Sequence, residues 1–198
     1  MPPSCVSTSA PPEPVKRAEL TRVFGVRLFV ALYPPEEVRS ELRRWLEGAL
    51  TRARLTPVER WHLTLAFLGD VPLDRVAAVE EAVSRAVDGR RSMRLRLSGG
   101  GSFGRSTAVW AGVEGDLGPL HELHGGLQRE LANAGLPHDD RPLTPHLTVH
   151  YQGSREVLAA LRDYTGPFWT ATEIALVRSR FPQEGGYETV RTWPLAPS

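Results

Sequence analysis

Two segments of the 198-residue chain carry the same polar pair in an apolar setting. Trp61 to Gly69 reads W-H-L-T-L-A-F-L-G, and 84 positions further on Pro145 to Gly153 reads P-H-L-T-V-H-Y-Q-G. Side chains alternate between the two faces of a strand. Regular alternation puts Leu63, Leu65 and Phe67 on one face, and His62, Thr64, Ala66 and Leu68 on the other. In the second copy Leu147, Val149 and Tyr151 share a face, opposite His146, Thr148 and His150. Each copy would anchor a leucine in a core and present His and Thr roughly 6–7 Å apart along the strand.

Two such strands facing one cleft would bring together two imidazoles and two hydroxyls. That set suits phosphodiester cleavage without a metal. One histidine takes a proton from the nucleophile and the other returns one to the leaving oxygen, on opposite sides of phosphorus. An imidazole with an ordinary pKa of about 6.5 can fill either role near neutrality. Threonine hydroxyls can donate to the non-bridging oxygens, where negative charge grows. A single H-L-T is commonplace in a half-buried strand. Two copies, each with a glycine seven positions after its histidine, point to a paired site.

The remaining histidines read differently. His146 and His150 are four apart, which suits a metal on a helix face but not on a strand, and neither motif contains a carboxylate. No metal and no cofactor is therefore expected. His121 and His124 fall at i, i+3 on a helix and are expected in solvent. His138 precedes Asp139-Asp140 and reads as a turn or ion-pair residue.

The elements that must position the motifs follow from periodicity. Gly25–Leu32 is a nearly continuous apolar run, a buried strand stopped by Pro34-Pro35. Val38, Leu42, Trp45, Leu46 and Leu50 mark a helix from about Pro35 to Ala53. A second helix over Leu73–Asp88 carries Val76, Val79, Val83 and Val87, with Gly89 as its cap. Met93–Leu97 and Thr107–Val113 are strands separated by a glycine-rich loop, Gly99 to Arg105. Leu120, Leu123, Leu127 and Leu131 mark a third helix, with Gly125-Gly126 expected to disturb it. A short helix over Ser154–Tyr164 and strands at Glu173–Arg180 and Tyr187–Trp193 complete the chain. The scheme is a pseudo-twofold α+β protein with one H-L-T in each half.

Composition narrows the class. Twenty-four Lys and Arg face 23 Asp and Glu, giving net charge +1 and no field suited to wrapping duplex DNA. Cys5 is the single cysteine, so there is no internal disulfide and no thiolate zinc site. No apolar run reaches bilayer-spanning length, and the first residues hold no apolar leader core. Residues 1–22, rich in proline, read as a disordered tail, and 23–198 as one bilobal domain. A monomer in the cytoplasm, with no obligate protein partner and no membrane attachment, is the expectation.

With these motifs in this order the chain resembles the 2H phosphoesterase superfamily, and within it the RNA 2′,3′-cyclic phosphodiesterases, also called 2′-5′ RNA ligases. The likeness includes R-L-F-V-A-L-Y-P-P, S-F-G-R-S-T-A-V-W, R-P-L-T-P-H-L-T-V and R-S-R-F-P-Q-E-G-G-Y-E-T-V. It implies a bilobal fold with antiparallel sheets lining a central cleft and helices outside. It also implies opening of an RNA 2′,3′-cyclic phosphate to a 2′-phosphomonoester without metal, and reverse 2′-5′ joining. His62 would be the proton donor and His146 the acceptor, roles that the residues alone leave interchangeable. Thr64 and Thr148 would hold the phosphate. Alternatives are a 2H enzyme for a small cyclic nucleotide or a cyclic phosphate of ADP-ribose, and a non-catalytic RNA- or nucleotide-binding module.

The second motif departs from the H-L-T-L-A-R of many relatives: Tyr151 stands at the arginine position. Tyr151 itself, Arg141 or Arg105 would then serve in substrate binding. Phe103 would stack on a nucleobase, and Trp110, in mid-strand, would be core.

Overall fold

The computed structural model describes residues 25–51, 54–103, 107–139, 141–180 and 186–198. The expected 1–22 tail, Cys5 and Arg105 lie outside the described residues. Strand β1 (Gly25–Leu32) is apolar because both of its faces are covered. Leu28, Val30 and Leu32 enter the main core, while Phe29 and Ala31 join a small cluster with Ala175 and Val177 on the other face.

Pro35, with φ −54°, starts helix α1 (Glu36–Ala49), and Glu36 and Glu37 in its first turn favour that end of the helix dipole. The helix buries Val38, Leu42 and Leu46. Truncating Leu42 or Leu46 to alanine would cost about 2–5 kcal/mol. Trp45, expected on the same stripe, lies at the rim and donates its indole N–H to the Ala160 carbonyl at 2.9 Å.

The chain continues through β2 (Leu63–Pro72), α2 (Val76–Val87), β3 (Met93–Ser102), β4 (Val109–Gly115), α3 (Leu117–Asn133), β5 (His146–His150), α4 (Arg155–Arg162), β6 (Trp169–Ala171), β7 (Glu173–Ser179) and β8 (Tyr187–Pro194). Helix α3 runs unbroken through Gly125-Gly126. Gly126 lies close to Ala86 of α2, so the absence of a side chain there serves helix packing rather than a break. Ser154 caps α4, accepting from the Val157 N–H at 3.3 Å.

Among the described residues the strands form one antiparallel sheet in the order β6-β3-β4-β5-β2-β1-β7-β8. The order reads alike from the middle outward, with β5 matching β2, β4 matching β1, β3 matching β7 and β6 matching β8. This is the pseudo-twofold α+β arrangement expected, with its axis between the two motif strands. The lobes are not consecutive halves of the chain, however. The last two strands, β7 and β8, return to flank β1 in the lobe of the first motif.

Helix α1 packs with α4, and α2 with α3. Their apolar stripes cover one face of the sheet and share a single core with both lobes. The opposite face remains for the site.

The loop expected from Gly99 is strand as far as Ser102, and Gly104 and Arg105 lie outside the described residues. Gly99 to Ser102 continue β3, with Gly100 opposite Ala111 and Gly101 opposite Trp110. A Cβ on Gly101 would lie 2.5 Å from the Trp110 ring, so the glycine lets the indole lie flat across the strand. Trp110 is thus half-buried on the open face of the sheet rather than in the core.

Candidate active site

The two motif strands meet through one antiparallel pair, Leu63 with Leu147. Stepping one residue either way places His62 across from Thr148 and Thr64 across from His146. Beyond that pair the strands part, and each joins its own lobe.

Neither strand alternates regularly. In β2, Thr64 pairs with Ala31 and Ala66 with Val30, leaving Leu65 as an extra residue; Leu68 is a second one. In β5, Thr148 pairs with Trp110 and His150 with Val109, leaving Val149 extra. Each motif therefore has a β-bulge at the residue after its threonine. Through Leu65 and Val149, both in the core, the expected faces hold, and beyond them they invert. Ala66 and His150 turn toward the core, His150 with only 8% exposure and its Nδ1–H donated to the Arg54 carbonyl at 2.6 Å. Phe67 and Tyr151 turn outward, at 47% and 57% exposure. These reverse the expectation that Phe67 is core and that His150 shares the face of His146.

The bulges are braced from outside the sheet. The His124 ring donates Nδ1–H to the Leu65 carbonyl at 2.8 Å, so His124 is not the solvent residue expected from the helix pattern. Val149 accepts from the Thr56 N–H at 2.8 Å and the Thr56 hydroxyl at 3.1 Å. Thr56 is held in turn by the buried Trp61 indole N–H at 2.8 Å. Seven residues after each histidine, Gly69 and Gly153 take φ of 67° and 64°, a left-handed conformation that a side chain resists.

The two histidines are mounted alike. His62 Nδ1 lies 2.7 Å from the Arg60 carbonyl, and His146 Nδ1 lies 2.7 Å from the Thr144 carbonyl. A carbonyl can only accept, so each Nδ1 carries its hydrogen and each Nε2 is left for proton transfer. Aromatic rings flank both. Phe29 stacks on His62 with centroids 4.8 Å apart, and Tyr187 meets it edge-on at 5.4 Å. Phe103 meets His146 edge-on at 4.8 Å, and Trp110 lies at 5.9 Å.

These walls desolvate the imidazoles. Burial pulls the His62 pKa down to about 4, against the raising effect of the Arg60 carbonyl, and the nearby His146 lowers it further. The His146 pKa is also lowered, again by burial first. Both rings are neutral at pH 7 in the free protein. Burial likewise pushes Tyr33 up to about 12 and raises Tyr187.

Phe103 is thus brought against the His146 ring. Tyr151 faces the same side as the motif histidines and couples electrostatically to Tyr187, while Thr107 donates its hydroxyl to the Tyr151 carbonyl. Arg141 is not brought to the motifs: its guanidinium is 86% exposed and bound bidentately by Asp139. Phe29, Tyr33, Tyr187 and Arg60 belong to the site but carry no motif signal. No group of three or more His, Cys, Asp or Glu that could hold a metal occurs among the described residues.

Paired H-x-T strands at the centre of a pseudo-twofold antiparallel sheet define a 2H-type phosphoesterase arrangement. Residues 33–180 match the 2′-5′ RNA ligase superfamily, and the chain belongs to that family. It is 34% identical over 146 residues to an RNA 2′,3′-cyclic phosphodiesterase of Geobacillus stearothermophilus, a match covering 69% of this chain and 46% of that relative. The RNA 2′,3′-cyclic phosphodiesterase of Escherichia coli is 28% identical over 172 residues, covering 85% of this chain and 96% of the relative. The crystal structure of E. coli LigT in apo form superposes with TM-score 0.75 at 27% identity, over 87% of this chain and 99% of that one. No described helix is long and apolar enough to cross a membrane.

Proposed function

We propose that the protein hydrolyses RNA 2′,3′-cyclic phosphate ends to 2′-phosphomonoesters through His62 and His146. The observation that carries this reading is the matched mounting of the two imidazoles, each with Nδ1–H fixed to the carbonyl two residues earlier. His146 Nε2 takes a proton from water as the water oxygen attacks phosphorus. The P–O3′ bond opposite the water breaks, and His62 Nε2–H delivers its proton to the departing 3′ oxygen. The products are a 3′-hydroxyl and a 2′-phosphate. Thr64 and Thr148 donate to the non-bridging oxygens as charge grows on them. A 5′-hydroxyl in place of water gives a 2′-5′ linkage by the same geometry.

The proton that His62 must hold is disfavoured in the free site, because burial opposes the imidazolium. An anionic phosphate between the rings offsets that cost and raises both pKa values, so substrate binding itself charges the acid. Tyr151 and Phe103 contact the nucleotide, the first through its phenol. The reaction needs no cofactor and no second copy, and the protein acts as a monomer in the cytoplasm. The relatives' names support the substrate class.

The deciding experiment incubates purified protein with an RNA ending in a 2′,3′-cyclic phosphate and locates the phosphate in the product. A 2′-phosphate is the expected product. A 3′-phosphate, or no turnover, overturns the reading.

A further inference from the structure

Several arginines of this chain are held by carboxylates, among them Arg43, Arg96, Arg141 and Arg180. Arg27 and Arg60 form no ion pair among the described residues, although Asp70 stands opposite Arg27 in the β1–β2 ladder. Each instead lies over an aromatic ring beside the first motif: Arg60 over Tyr187, 5.8 Å from its centroid, and Arg27 over Phe67 at 5.1 Å. A guanidinium stacked on a ring keeps its in-plane N–H groups for an anion, and their fork matches phosphate oxygens.

The two positions form a line from the histidine outward. The Arg60 carbonyl fixes His62 and its guanidinium extends along Tyr187, the ring that meets His62 edge-on. Its Nη2 would lie 3.3 Å from a Cβ on Gly186, so the glycine gives the side chain room to lie flat. Arg27 lies further along β1, where Phe29 stacks on His62 and pairs with Phe67. Both guanidiniums also act on the Tyr187 hydroxyl, favouring its ionised form against the burial that dominates there.

In-line geometry says which part of a substrate lies on this side. If His62 protonates the 3′ oxygen, the ribose lies toward His62 and the attacking water toward His146. The 5′ side of that ribose, with the rest of the strand, then leaves across the first-motif lobe. We propose that Arg60 and Arg27 grip the backbone phosphodiesters 5′ to the cyclic end, so the substrate is an oligonucleotide rather than a free nucleotide. This rests on the hydrolytic reading and on His62 as the donor. It also gives the site cations on the side of the first motif.

The test is binding, which does not depend on turnover. A 5′-fluorescent RNA tetranucleotide ending in a 2′-phosphate is titrated by anisotropy, with the matching nucleoside 2′-phosphate as competitor. Wild-type protein is expected to bind the tetranucleotide at least about tenfold more tightly than the nucleotide. The R27Q/R60Q double variant should lose at least about tenfold on the tetranucleotide and less than about threefold on the nucleotide. Its dependence of log Kd on log salt should flatten by about 1.4, the contribution of two single-strand phosphates. The R27K/R60K variant, which keeps the charges, should retain most of the salt dependence. Equal loss on both ligands, an unchanged salt slope, or a wild type that does not distinguish them overturns the track. Absence of wild-type turnover sinks the hydrolytic reading, while the binding difference decides the track on its own.

Discussion

Leu63 stands directly across from Leu147 in the only ladder pair between the motif strands among the described residues. Because that pair is antiparallel, each histidine faces the other motif's threonine, and the four polar groups form a diagonal square. Removing either imidazole should therefore abolish one proton transfer without disturbing the other half. His62→Ala and His146→Ala are each expected to lower kcat by about 10²–10⁴-fold. Circular dichroism and binding of a 2′-phosphate product should stay close to wild type. Full turnover in either variant would remove the two-histidine mechanism.

The protonation states make a pH signature. In the proposed mechanism the working form of the free protein has one imidazole charged and one neutral, and its population would peak between the two pKa values. With His62 near 4 and His146 also lowered by burial, kcat/KM should peak on the acid side of about 6.5 and fall as pH rises through the His146 pKa. The kcat profile, which reports the bound state, should lie to the alkaline side. Stability follows from the same shift. The unfolded His62 binds a proton below about 6.5 and the folded one only near 4, so stability is full above 6.5 and falls as pH drops toward 4. The loss from His62 is roughly 3 kcal/mol. Urea midpoints at pH 7 and pH 4.5 check it, and equal stability at both would contradict a buried neutral ring.

Much of this site is written in local pattern. The H-L-T pairs, their apolar anchors and the glycines seven residues on could be read directly, because one strand's alternation and one turn's conformation are properties of short segments. The faces beyond Leu65 and Val149 could not. A bulge is a mismatch between two strands, and only the register of β2 against β1, and of β5 against β4, sends Phe67 and Tyr151 outward and His150 inward. Trp110 was hidden for a related reason: whether a mid-strand tryptophan is core depends on a partner strand, and here Gly101 gives it a place beside His146. His124 and Arg60 carry no motif, since what matters is a carbonyl or a ring brought near by the fold.

Metal removal gives a further check. The proposed proton transfers and phosphate contacts all come from side chains of this chain, with Nε2 of each histidine as the working atom. Dialysis against chelator should leave turnover of a cyclic-phosphate RNA within about twofold of the untreated protein, since an essential catalytic metal would carry several kcal/mol of the barrier. Loss of activity restored by one divalent cation would require a different mechanism.

The bulge braces carry the last prediction. Leu65 and Val149 are the extra residues that turn each motif after its threonine, and their carbonyls are held by His124 and by Thr56. Neither brace is bonded to the rings of His62 or His146. His124→Ala removes the Leu65 partner and Thr56→Val removes both the hydroxyl contact to Val149 and the acceptor for the Trp61 indole. An unsatisfied buried group costs about 1–3 kcal/mol, so each variant should lose stability of that order in urea denaturation. A bulge freed to relax also shifts the adjacent threonine, and a misplacement of about 1 Å can cost on the order of a hundredfold in rate. The expected pattern is thus reduced kcat with KM little changed, in protein that is still folded at 25 °C. Lowered stability with wild-type kcat would mean that the braces hold the fold but do not set the positions of Thr64 and Thr148.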